Sequence, residues 1–299
     1  MTIRLLVALA LVATGCSTTE EAALPAVPGL AVAESDADVG TSFARLTAAL
    51  DAAEPVGIVA GVDHASNAAT AGLSLRPTRV VLFGNPALGT PLMQANPQAG
   101  LDLPQKVLVF EDPEGRTVVA YNTTDYLARR HGVGGVSTLS QIDGALAMFA
   151  RTAAGDDATI TPTSAASVAR DQGVVSVASD DDVATVYARL RAAVDGNPNL
   201  TIVAELDHQA NAASVGMTLP PIRLIVFGNP ALGTPLMVAG QTVGIDLPQK
   251  MLVYRSASGG SVVAYNDPGY LASRHGLGTP GEVATIRGAL DALATAATE

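Results

Sequence analysis

Tryptophan is absent from this chain, and cysteine occurs once, at position 16. A single thiol excludes an intrachain disulfide and any zinc site built from several thiolates. Aromatic residues make up only 4%, so most of the core must come from Ala, Val, Leu and Ile. Charge is scarce at 15%, and what there is leans acidic, with 28 acidic against 17 basic residues and a net charge of −11. That balance argues against sequence-independent nucleic-acid binding, which needs a positive face, and against an electrostatic grip on anionic lipid. No HxH, HxxxH or HExxH metal spacing occurs, nor a GxSxG elbow or a dinucleotide-binding glycine set. What is abundant is apolar: 48% of 299 residues. This excludes intrinsic disorder and gives two domains as the first expectation from length.

The N-terminus bears on the compartment. Arg4 precedes an apolar run from Leu5 to Ala13 that is too short to span a bilayer but has the length of a signal-peptide core. Ala13-Thr14-Gly15-Cys16 resembles a bacterial lipobox, with Ala13 where Leu is usual. Residues 1–15 are therefore expected to be a signal peptide and Cys16 a lipidated mature N-terminus; ordinary cleavage beside an incidental cysteine is the alternative. Residues 16–28 form a flexible tether. The expected location is the cell envelope, lipid-anchored to a membrane and facing the periplasm or exterior. With Cys16 committed to lipid, thiol catalysis is excluded.

A repeat organises the remainder. His64 in VDHASNAA and His208 in LDHQANAA lie 144 positions apart, and the same offset carries Phe83–Met93 onto Phe227–Met237 unchanged. It also carries DLPQK (102–106), VVAYN (118–122) and His131-Gly132 onto their second copies. Residues 29–155 and 173–299 thus read as two copies of one domain, joined by a linker at 156–172. The period exceeds that of solenoid units, so each copy should own a core.

Periodicity gives the coarse structure of one copy. A strand at 29–33 precedes a helix capped by Ser35 or Asp36, with Val39, Phe43, Leu46 and Leu50 on one face. The nearly all-apolar run 56–62 predicts a buried strand. A short helix at 66–72, a buried strand at 79–83 and a helix at 86–94 follow. Strands at 106–111 and 116–121 flank Asp112-Pro113-Glu114-Gly115 as a hairpin. Helices at 124–130, capped by Thr124 or Asp125, and at 139–150 complete the copy. The expected class is α+β, with each compact copy a small mixed sheet and hairpin covered by helices.

The polar residues in these motifs each admit two readings. Asp63-His64 stands at a strand exit with Asn67 one helical turn on; it is a ligand or proton-transfer cluster, or a helix cap beside a core histidine. FGNPALGTP reads as strand, glycine turn and helix start; its backbone amides hold an anion, or it is a structural turn, and although its glycines have Walker-like spacing, Thr90 occupies the position of the essential lysine. Lys106 either meets an anionic ligand or pairs with Asp102 at the surface. Tyr121 is either a site residue or an aromatic covering the core. His131 and His275 precede glycines at helix C-termini, where an imidazolium suits the dipole.

Taken in order, DHxxNA, FGNPxxGTxLM, DLPxK, VAYN and YLAxRHG resemble a bacterial family known only as domain of unknown function 302, along almost the whole of each copy. The resemblance implies a compact α+β fold and self-association. A tandem chain is then a covalent pseudo-dimer and a monomer in solution. It implies no activity and no catalytic residues.

Three functions remain open. One is an exported lipoprotein binding a small molecule, anionic ones included, at each copy or between them. The second is an acid–base enzyme using the Asp–His pair of each repeat, and the third a structural envelope scaffold. For a ligand site the candidates are His64, Asn67, Lys106 and Tyr121, with their counterparts His208, Asn211, Lys250 and Tyr265. Neither cofactor nor metal is expected. The readings part on whether these residues converge on one concave pocket in both copies.

Overall fold

The computed structural model describes residues 22–299; the signal segment, Cys16 and the first part of the tether lie outside them. The first repeat runs β1 (Leu30–Glu34), α1 (Val39–Asp51), β2 (Gly57–Asp63), α2 (His64–Thr70), β3 (Thr78–Gly84) and α3 (Pro86–Ala95). A 3-10 turn, Pro97–Leu101, leads into β4 (Gln105–Glu111), β5 (Thr117–Asn122), α4 (Thr124–His131) and α5 (Leu139–Ala154). After β6 (Thr161–Pro162), the second repeat gives β7 (Val174–Ser179), α6 (Val183–Asp195), β8 (Thr201–Asp207), α7 (His208–Ser214) and β9 (Ile222–Gly228). It ends with α8 (Pro230–Ala239), the 3-10 turn Gln241–Ile245, β10 (Gln249–Arg255), β11 (Ser261–Asn266), α9 (Pro268–Arg274) and α10 (Glu282–Thr298).

The strands form two sheets, ordered β2-β3-β4-β5-β1-β6 and β7-β11-β10-β9-β8. Every described pairing is antiparallel rather than mixed. In each repeat the first strand closes against the second strand of the hairpin, so no pair needs a parallel crossover. β6 comes from the segment expected to be only a linker; it pairs with β1 and extends the first sheet.

Helix starts follow side-chain chemistry, a residue or two away from the expected caps. Asp38 rather than Ser35 or Asp36 caps α1, accepting from the Thr41 N–H at 2.8 Å. Thr123 caps α4, accepting from the Tyr126 N–H at 3.2 Å. The first sheet buries Val81, Val107, Val109 and Val119 among α1 and α5, whose Leu46, Leu50, Leu146 and Phe149 are each 1% exposed or less. The expected buried strand at 56–62 is instead the edge strand β2: its Gly57, Ile58 and Val59 are exposed.

The other face of each sheet meets the opposite repeat. One hydrophobic cluster is continuous across the junction and includes Leu108 and Val80 with Leu224, Ile245 and Leu252. Two glycines set how closely the repeats approach. A Cβ on Gly100 would stand 3.0 Å from Leu252 Cδ1, and one on Gly244 3.1 Å from Leu108 Cδ1. No helix among the described residues is long and apolar enough to cross a membrane.

Candidate functional site

Two cavities lie where the repeats meet, and each is assembled from both. The first, of about 430 Å³, runs between the end of β3, α3, Gln105 and the inner face of α5, and is closed by Leu206, His208 and Asn211 of the second repeat. The second, of about 200 Å³, is its counterpart: Phe227, Thr234, Met237, Gln249 and α10 form the body, and His64, Asn67 and Thr70 of the first repeat close it. The arrangement follows from packing of α3 against α7 and of α8 against α2. Each short histidine helix therefore serves the neighbouring repeat rather than its own.

The walls are mainly aliphatic, and among the described residues no Asp, Glu, Lys or Arg lines either cavity. In the first, Thr90 Oγ1, Gln105 Nε2 and His208 Nε2 are buried without a hydrogen-bond partner. In the second, Thr234 Oγ1 and Gln249 Nε2 are likewise unpartnered, while His64 Nε2 donates to the Gly244 carbonyl at 3.3 Å. Burial lowers the pKa of both His64 and His208 to about 4, so both rings are neutral at pH 7. Asp63 does not hydrogen-bond to His64. It caps α2 through the Ser66 N–H at 2.9 Å and accepts from Arg79 Nε at 2.9 Å. The carboxylate of this adjacent pair is thus committed to structure. Among the described residues no three His, Cys, Asp or Glu side chains gather as a metal would require.

Lys106 and Tyr121, and likewise Lys250 and Tyr265, do not line the cavities. Strand alternation explains the lysines. Gln105 pairs with Phe83 and shares its face, toward the cavity, so Lys106 points to the opposite face, between the repeats. Both lysines are buried. Lys250 donates to the Asp246 carbonyl at 3.2 Å, and burial together with the Lys106 charge pushes its pKa down to about 7. Tyr121 is buried, with its pKa raised to about 12 by that burial. Tyr265 donates its hydroxyl to Asp291 on α10.

The charged groups of the recurring motifs converge elsewhere, at the centre of the junction. Asp102 is buried rather than at the surface, and it accepts from Arg130 Nη1 and His131 Nε2, both at 2.7 Å. Arg130 Nη2 crosses to Asn266 Oδ1 of the second repeat at 2.7 Å. The counterpart is reciprocal: Asp246 accepts from Arg274 at 3.0 Å and His275 at 2.9 Å, and Arg274 Nη2 reaches Asn122 Oδ1 at 2.7 Å. The Arg274 guanidinium also lies 3.9 Å from the centre of the Tyr126 ring. Burial alone would raise the Asp102 pKa, but Arg130 and the His131 hydrogen bond outweigh it and hold it well below the usual carboxylate range. His131 and His275 therefore belong to a buried network rather than to solvent-facing helix ends, and burial lowers the His275 pKa.

The cavity residues that sequence reasoning passed over are Thr90, Gln105 and their counterparts Thr234 and Gln249. In the network it passed over Asn122, Arg130, Asn266 and Arg274. All recur at the 144-residue offset between the copies. That recurrence was the available signal, but it does not separate cavity from junction.

Residues 31–149 and 175–296 each match the model of the family described as domain of unknown function DUF302. Over 114 residues the chain is 41% identical to proteins named fluoride-specific ion channel FluC 1 in Brucella suis biovar 1 (strain 1330) and Brucella abortus biovar 1 (strain 9-941). The match covers 38% of this chain and 44% and 42% of those proteins, so the chain spans less than half the length of these curated relatives. Among solved structures, an uncharacterised conserved DUF302 protein from Bacillus stearothermophilus aligns over 98% of its own length and 42% of this chain, with 17% identity and a TM-score of 0.37.

Proposed function

We propose that this chain, which belongs to the DUF302 family, is a non-enzymatic binding module of the bacterial cell envelope that holds a small molecule in its cross-repeat cavities. The observation that carries the reading is the trio of buried, unpartnered polar atoms in the first cavity: Thr90 Oγ1, Gln105 Nε2 and His208 Nε2. A buried polar group without a partner costs about 1–3 kcal/mol. Three of them on one mainly apolar cavity, which Asn85 and Asn211 also line, are what a ligand with matching groups would satisfy. The committed hydrogen bonds of Asp63 favour binding over acid–base catalysis by the Asp–His pair. Envelope placement rests on Arg4, the apolar run Leu5–Ala13 and Cys16, which would carry the lipid that holds the chain to its membrane. The channel name of the Brucella relatives stays with those proteins.

A thermal-shift screen of small molecules on the full chain tests the binding function. A ligand present at 100 times its Kd stabilises by about 2.7 kcal/mol, and that shift should be lost in Gln105→Ala. A screen yielding only shifts that survive Gln105→Ala and Gln249→Ala overturns the reading. For the anchor, Cys16→Ser should abolish acyl labelling; wild-type chain without acyl mass, recovered wholly in the soluble fraction, refutes it.

A further inference from the structure

The two cavities share an uncharged lining and differ in size, and the difference traces to named positions. Charge is the first consideration. Neither cavity is lined by a charged side chain among the described residues, and burial keeps His208 neutral at pH 7. A carboxylate or ammonium entering the first cavity would exchange water for aliphatic walls with no counter-ion, at a cost that removes most of its binding energy. A neutral molecule meets no such cost. Its apolar body is matched by residues such as Ile142, Leu146 and Phe149, and a hydrogen-bonding group on it by Thr90, Gln105 or His208, whose unpartnered atoms belong to the same lining.

Size is the second. A dry cavity of about 150 Å³ accommodates a benzene ring. The first cavity is nearly three times that and the second little larger. The rim explains the contrast. Val56 and Gly57 of the first cavity correspond to Leu200 and Thr201 of the second, which add side-chain atoms at its mouth. Leu293 in place of Phe149 returns only part of that space. The extra bulk is compatible with the strand: a Cβ on Gly57 would meet nothing within 4 Å.

We propose that the first cavity is selective for an uncharged, two-ring-sized organic molecule with an apolar body and one hydrogen-bonding head, and that Leu200 and Thr201 exclude such a molecule from the second. This rests on the binding function proposed above and specifies its ligand class. Met93 lines the first cavity and Met237 the second, so carbon-13-labelled methionine methyls report each one separately.

The test titrates the full chain at pH 7 with three probes of one shape: 2-naphthamide, 2-naphthoate and 2-naphthylmethylamine. The amide should shift the Met93 methyl and leave Met237 unmoved, with a Kd at least tenfold below that of the carboxylate or the amine. Val56→Leu with Gly57→Thr, a pair the second repeat already carries, should abolish the Met93 response. Leu200→Val with Thr201→Gly should create one at Met237. Equal or tighter binding of a charged probe at Met93 overturns the ligand class and leaves the binding function standing. An amide that moves Met237 in the unmodified chain overturns the size discrimination. Failure of all three probes to move either methyl at millimolar concentration overturns this proposal and counts against the binding function itself.

Discussion

Lowering the pH from 7 to 5 should destabilise this protein by an amount that two histidines set. His64 and His208 are each 5% exposed, and burial lowers both pKa values to about 4. In the unfolded chain each returns to about 6.5. The unfolded state therefore binds more protons across the window from 6.5 down to 4, and stability falls as pH falls through it. At pH 5 each unfolded ring is almost fully protonated and each folded ring almost fully neutral. The difference is about 2 kcal/mol per histidine, or about 4 kcal/mol for the pair. His275, whose pKa burial also lowers, acts in the same direction. The buried carboxylates do not contribute in this window. Asp102 and Asp246 are held well below the usual range by their arginines and histidines; their stabilisation is present above about pH 3.9 and is lost only as pH falls below it. Urea unfolding at pH 7, 6 and 5 measures the effect, with the m-value as control that the unfolding reaction is unchanged. His64→Gln with His208→Gln should remove most of the slope, leaving the smaller share of His275 and Lys250. A change below about 1 kcal/mol between pH 7 and 5, or the same slope in the double variant, refutes the assignment.

Three further outcomes follow from the junction. Asp102→Ala strands the buried Arg130 guanidinium and should cost about 3–5 kcal/mol, read as a lowered urea midpoint; a loss under about 1 kcal/mol would mean that water replaces the carboxylate. Lys250→Met removes a buried ammonium whose pKa is pushed down to about 7, a penalty on the folded state that is present at pH 7 and absent near pH 10, so the urea midpoint of the variant relative to the parent should be higher at pH 7 than at pH 10; an equal or lower relative midpoint at pH 7 contradicts this. His208→Ala, in the second repeat, should weaken 2-naphthamide binding reported by Met93 in the first, whereas His64→Ala should leave it intact; the reverse pattern would show that each repeat uses its own histidine.

Several elements were legible because local chemistry alone determines them. The hairpin of β4 and β5 turns at Asp112–Gly115, where the Asp112 carboxylate accepts from the Glu114 and Arg116 N–H groups at 3.0 and 2.8 Å. The apolar face of α1 sets its packing in the same local way. Strand β2 departs from the buried strand that its apolar run predicts. Its apolar run lines the first cavity with Gly57, Ile58 and Val59 rather than filling a core, and composition does not distinguish an apolar wall from an apolar interior. Of the named site residues, His64, Asn67, His208 and Asn211 do line cavities, but in the opposite repeat, which no spacing within one copy encodes. Residue type alone points to Lys106 rather than to its neighbour Gln105; the phase of a two-residue alternation depends on register, and only the pairing of Phe83 with Gln105 sets it.

That each cavity is finished by residues from the other repeat has a consequence for dilution. Two separate copies would form complete cavities only above the dissociation constant of their pairing, so occupancy would track protein concentration. Joining them makes the encounter intramolecular, at the millimolar effective concentration that a short tether supplies. The cavities are then complete however sparsely the chain is distributed, and a substitution in one half need no longer be copied in the other. The unequal rims at Val56-Gly57 and Leu200-Thr201 are a difference that two identical chains could not carry, and the fused chain can pass it on as a single gene.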